Sequence, residues 1–194
     1  MARRLGAADW VGAGLAALAR SGAGALKAEL LARALGVSRG SFYWNFTDLR
    51  AFHSAVIARW SEAATRAIIT EVERTAIGEA RLHALLRRAF TADPGLEIGV
   101  RAWAASHPLA RRAIELVDRR RVAYLERLLR AGGVGRRTAR LRAELIYWLL
   151  VISMAAFAVT LNIKVFWGVF AVAIAASWLY KRPWTKQVSP PAAK

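Results

Sequence analysis

Residues 27–46 read KAELLARALGVSRGSFYWNF. The stretch divides at Gly36. Leu31 and Leu35 share one helical face before it, and Phe42 and Phe46 share one after it. Ala32 stands four residues ahead of Gly36, a small residue where two helices must press together. Gly36 supplies the positive φ that a sharp turn needs. Val37 then fills the angle between the helices. The pattern predicts a helix over 27–35, a turn at 36–38, and a second short helix over 39–46 capped by Ser38.

Partners for the four apolar residues lie on both sides. Leu15 and Leu18 belong to a helix over 9–20, with Asp9 as N-cap and Ser21-Gly22-Ala23-Gly24 as its stop. Phe52 belongs to a longer helix, capped by Thr47 or Asp48, that runs to about residue 72 or beyond. Residues 8–64 are therefore expected to form a three-helix helix-turn-helix module. Its core leaves one face of the second short helix unused. That face carries Arg39, Gly40, Ser41, Tyr43, Trp44 and Asn45, with Ser38 at its start. Such a set suits a helix lying in the major groove of double-stranded DNA. Arg39 can pair with guanine and Asn45 with adenine. Gly40 lets the backbone approach, and Tyr43 can reach a phosphate. Alternatively, Tyr43 and Trp44 pack under a neighbouring helix, and the residues alone leave both arrangements open.

The segment from Gly36 to Phe46 resembles the recognition segment of TetR-type (TetR/AcrR) transcriptional regulators, in which a turn glycine precedes an aromatic pair, commonly in Tyr-Trp-His-Phe. The likeness continues through Asp48-Leu49-Arg50-Ala51-Phe52. Residues 100–104 and 118–125 resemble helices of the ligand domain in one subgroup, so the likeness spans about the first 155 residues. It implies a homodimer on a palindromic operator, probed by two recognition helices about one DNA turn apart. It also implies an unknown small-molecule effector, bound in a helical regulatory domain over 65–160, that releases the DNA. Three positions depart from the pattern. Asn45 replaces the usual His. Leu49 stands where a phosphate-binding Lys is common, leaving Arg50 to take that contact. Lys27 replaces a capping Thr, which forfeits a cap worth ~1 kcal/mol but adds a cation for phosphate.

The chain has 194 residues, with 30 Lys and Arg against 13 Asp and Glu, a formal charge of +17. That excess points to a polyanionic partner, nucleic acid or an anionic membrane surface. Cysteine is absent, which excludes disulfides and thiol chemistry. Arg3 and Arg4 before an apolar stretch superficially resemble a secretory signal, but Asp9, Gly12 and Gly14 interrupt it. Gly12-Ala13-Gly14 fits a loose dinucleotide fingerprint with no strand before it. His53, His83 and His107 lack metal-ligand spacing. No catalytic constellation, cofactor or metal is expected, and the chain does not read as an enzyme.

Helices are expected over 79–91, 96–106 and 108–131, with Pro108 opening the last, and again from 136 after Gly132-Gly133. Arg119-Arg120-Arg121 reads as a solvated face. Trp103, Phe90, Tyr124, His83 and His107 are pocket candidates, each with core packing or a helix end as the commoner role. Residues 145–163 and 165–180 carry no charge. The second is apolar all round, and Trp178, Tyr180 and Trp184 beside Lys181, Arg182 and Lys186 resemble an aromatic belt with basic anchors. Sixteen residues span only ~24 Å as helix, against a ~30 Å hydrocarbon core. Residues 161–181 are read as an apolar helix that either crosses a membrane or joins a dimer bundle, a tail from a shifted reading frame being a third origin. Residues 182–194 are read as a disordered basic tail. The expected fold is all-α and the expected location cytoplasmic, with inner-membrane association through the apolar segment. An integral or peripheral membrane protein with a vestigial or tethered helix-turn-helix is the alternative.

Overall fold

The computed structural model describes residues 5–160. The apolar segment 161–181 and the tail 182–194 lie outside the described residues. Every regular element among the described residues is helical: α1 (Ala7–Ser21), α2 (Ala28–Leu35), α3 (Gly40–Tyr43), α4 (Leu49–Ser61), α5 (Ile68–Thr75), α6 (Ala80–Thr91), α7 (Gly95–Ser106), α8 (Pro108–Ala131) and α9 (Arg136–Thr160). A 3₁₀ turn (Ala23–Ala25) follows α1, and a π-helical turn (Glu62–Ala67) joins α4 to α5.

The three-helix module assembles around Phe42. Its ring meets Trp10, Phe46 and Phe52 at centroid distances of 5.3, 5.4 and 5.4 Å. Leu18, Leu31, Phe42 and Phe52 are buried, with Leu15, Leu35 and Val37 packed around them. Each fully buried ring or leucine contributes about 1.5–3 kcal/mol. Trp10, fully buried at the base of the cluster, is a core member the periodicity of 9–20 does not single out. Gly14 also has a packing role, because a Cβ there would stand 2.7 Å from the Phe52 ring.

Helix ends differ from expectation in three places. Helix α1 starts at Ala7 with Gly6 as N-cap, so Asp9 falls at the third helical position. From there its carboxylate accepts from the Gly6 N–H at 2.9 Å, one half of a capping box. Ser38 does not cap α3 with its side chain. That helix closes through backbone carbonyls instead, Ser41 N–H on Ser38 O and Phe42 N–H on Arg39 O. It is shorter than 39–46, although Phe46 N–H still reaches Phe42 O at 3.0 Å. The longer helix from Asp48, whose Oδ1 accepts from Ala51 N–H, continues to Thr75 but not as one α-helix, because the π-turn interrupts it.

Helix α7 lies against both α1 and α8, and α8 packs along α9. The module's core runs without a break into Val100, Trp103, Ala110, Ile114 and Val117 of α7 and α8. A second cluster joins Val122, Leu125 and Leu129 of α8 to Ala139, Ala143 and Tyr147 of α9. Among the described residues no helix is long and apolar enough to cross a membrane. The described part of 145–163 belongs to α9, which is seated on α8.

Candidate nucleic-acid interface and internal cavity

Gly36 ends α2 in the left-handed region at φ 68°, ψ 29°, and Val37 N–H returns to Ala32 O at 3.0 Å. This turn fixes α3 across α2 and directs the face opposite Phe42 outward. Trp44 is 75% exposed and Tyr43 48%, which decides against their packing under a neighbouring helix. Arg39 stacks over the Tyr43 ring, its Cζ 5.7 Å from the centroid, and donates from Nη2 to the Tyr43 hydroxyl at 3.2 Å. That hydrogen bond raises the guanidinium above its ordinary pKa. The Tyr43 O–H proton is left to donate outward.

Lys27, Ser38, Gly40 and Arg50 are exposed, and Ser41 is partly buried. Lys27 is the N-cap of α2 and makes no side-chain cap bond. Asn45 is turned differently. Its Nδ2 donates to Ser41 O at 2.9 Å and to Leu5 O at 3.4 Å, so both amide protons are used inside the protein. A bidentate pair with adenine needs one of those protons. Asn45 instead ties the end of α3 to the segment ahead of α1.

Between the module and α7 lies an aromatic group. His53 Nε2 donates to Leu26 O at 3.2 Å, and its ring meets Trp103 at 5.0 Å and His107 at 5.7 Å. Burial lowers the His53 pKa below its ordinary value. Trp103 and His107 are thus committed to the junction of module and bundle.

The bundle holds a buried ionic network. Arg121 grips Glu97 with both η nitrogens, at 2.9 and 3.0 Å, and also donates to Ala64 O in the π-turn. Arg101 grips Asp118 at 2.7 and 3.2 Å and donates to Glu97 and to the Tyr147 hydroxyl. Tyr147 donates in turn to Asp118. Burial works against each guanidinium charge, but Asp118 and Glu97 at Arg101, and Glu97 at Arg121, more than compensate, and both stay above their ordinary pKa. Burial pushes the Tyr147 phenol up to about 12. Arg119 and Arg120 are exposed as expected, but Arg121 is not part of a solvated face. Its spacing from Arg119 puts it on the inner side of α8, which only the packing of α7 and α9 reveals.

Beside this network is a cavity of about 260 Å³. Its wall is mainly apolar and draws on α4, the π-turn, α6, α8 and α9, with Trp60, Thr65, Leu86, Tyr124, Tyr147 and Met154 among its residues. Of the five pocket candidates only Tyr124 lines it. Phe90 and His83 stand outside it on α6, and Trp103 and His107 at the module junction. Trp60 and Thr65 were missed because an apolar helix face signals burial, not which buried residues border empty space. Among the described residues no group of three or more His, Asp or Glu is placed to hold a metal.

The sequence matches no family model and no curated protein. The architecture does match solved structures. A TetR transcriptional regulator from Legionella pneumophila superposes with a TM-score of 0.74 at 12% identity, over 86% of this chain and 94% of that one. The fold is that of a TetR regulator. A transcriptional regulator from Rhodococcus sp. Rha1 gives 0.73 at 16% identity, over 89% and 95%. Reduced NemR from E. coli gives 0.73 at 17% identity, over 85% and 94%. At such identities the shared property is the TetR fold itself, a helix-turn-helix module ahead of a larger helical bundle.

Proposed function

We propose that the protein is a sequence-specific DNA-binding transcriptional regulator, a homodimeric repressor released from a palindromic operator by a small-molecule effector. The observation that carries this reading is the outward face of α3, where Arg39, Tyr43 and Trp44 stand exposed on a helix braced from behind by Phe42. Arg39 and Ser41 are assigned to base edges. Tyr43, Trp44, Ser38, Lys27 and Arg50 are assigned to the phosphate backbone and groove walls. Gly40 is assigned to close approach, and Asn45 to positioning α3. The protein works in the cytoplasm, with its DNA.

Dimerisation is supported by α9. One side of that helix is buried on α8 through Ala139, Ala143 and Tyr147, while Leu141, Leu145, Trp148 and Ile152 are exposed in a 4-3-4 spacing. A helix with a second apolar stripe calls for a second partner. A second copy, related by a twofold axis, supplies the same stripe. Release is supported by the position of the cavity, which borders the π-turn at the end of α4. A molecule that fills it acts on the element carrying the module.

The test uses duplexes that the protein itself selects from a random library. Replacing Arg39 and Tyr43 together by Ala is expected to lower affinity about 100-fold, from two lost contacts of ~1–3 kcal/mol each, with helicity by circular dichroism unchanged. Affinity within twofold of the parent would overturn the assignment.

A further inference from the structure

The cavity wall contains two polar groups that the protein leaves unsatisfied. Thr65 is 5% exposed and Tyr124 4%. Neither hydroxyl has a hydrogen-bond partner. A buried hydroxyl without a partner is costly and uncommon in native proteins. Both residues stand in the wall that this cavity shares with an outer cleft between α4 and α8. Two unpartnered donors at one wall of an apolar chamber mark where a bound molecule places its acceptor.

The charges around the chamber are already matched. The Arg121 guanidinium is gripped by Glu97 through both η nitrogens. Arg88, exposed at the rim, has Glu71 Oε2 3.7 Å from its Nε. Asp93, also exposed, accepts from Gly95 N–H at 2.9 Å. A ligand carboxylate or ammonium would enter with no buried countercharge of its own and would lose its hydration. Size sets a further limit. At the packing density of protein interiors, about 0.75, the chamber holds about 195 Å³ of atoms, the bulk of a two-ring aromatic with a small substituent.

We infer that the cavity binds an uncharged, mainly apolar molecule of two-ring size whose single acceptor group receives hydrogen bonds from the Thr65 and Tyr124 hydroxyls. This rests on reading the cavity as the effector site and adds the chemical class of the effector. It also names the link to regulation. Thr65 belongs to the π-turn, and the neighbouring Ala64 carbonyl is held by Arg121. A π-turn is an irregular segment with an alternative, regular α pairing. A ligand bonded to Thr65 therefore bears on the turn that sets how α4 leaves the bundle.

The experiment uses the full chain and four naphthalene probes of matched size: a methyl ketone, an ethyl hydrocarbon, a carboxylate and a trimethylammonium. Binding is read by quenching of Trp60, with Trp60→Phe as the control for the other tryptophans, and by the shift in Tm. The ketone is expected to bind tightest, at least tenfold ahead of both ions. Thr65→Val with Tyr124→Phe is expected to weaken the ketone about tenfold while leaving the hydrocarbon within twofold. The inference is overturned if either ion binds as well as the ketone, if the double variant treats ketone and hydrocarbon alike, or if none of the four binds. These readouts need no DNA, so they stand or fall separately from operator binding. Addition of the ketone to the protein–duplex complex then tests the regulatory link. Release at concentrations that saturate the cavity supports it, and an unchanged complex overturns it.

Discussion

Gly40 is a position where the protein's own packing asks for nothing. A Cβ built there meets only Ser38 Oγ, at 3.8 Å. Alanine would favour the helix by about 0.5–1 kcal/mol. Gly40→Ala is therefore expected to keep or raise Tm while lowering affinity for the selected duplex at least about fivefold, or ~1 kcal/mol. Equal affinity would mean that the backbone of α3 stands off from DNA. Gly36 is the opposite case, since its φ of 68° is set by the chain path itself, and its role is legible from the turn pattern alone. Asn45 lies between the two. Its residue type fits adenine on paper, but its amide is spent on carbonyls, one of them 40 residues away at Leu5. No local pattern encodes that distant acceptor.

At the scale of elements, the junction of module and bundle depends on how closely α7 approaches α1. A Cβ on Gly99 would fall 2.5 Å from Leu18 O, a backbone atom that cannot swing aside. Gly99→Ala is expected to force the helices apart and cost about 1–3 kcal/mol, measured as a lower denaturation midpoint in the full chain. An unchanged midpoint would show the junction to be adaptable. Most helices are legible in the sequence, because an apolar stripe and a stop at Gly or Pro are local signals. The π-turn is not. Its extra residue per turn is accommodated where Arg121 supplies donors to Ala64 O, a contact made across 57 residues.

At the scale of the molecule, two charge patterns matter. Within 8–64 six basic side chains (Arg20, Lys27, Arg33, Arg39, Arg50, Arg59) meet four acidic ones (Asp9, Glu29, Asp48, Glu62), so most of the +17 lies outside the module. The excess strengthens the general attraction to polyanions, while α3 carries the local contacts. The apolar stripe of α9 sets the assembly. Leu145→Glu with Ile152→Glu places two carboxylates on that stripe, where both native side chains are about 60% exposed in the single chain. The double variant is expected to sediment as a monomer with helicity intact and to lose at least tenfold in affinity for a two-half-site duplex. A variant that remains a dimer would remove α9 from the interface.

The sequence by itself determined the helical class, the helix-turn-helix at Gly36 and the outward set from Arg39 to Trp44. Those features follow from periodicity, turn chemistry and residue type over fewer than twenty consecutive residues. Only the tertiary structure decided that Tyr43 and Trp44 are uncovered, that Asn45 faces inward, that Arg121 is buried against Glu97, and that Thr65 and Tyr124 border a cavity. Each of these depends on which helices meet. A burial pattern tells a residue to leave water, but the partner it finds, or the space left beside it, is set by segments far along the chain.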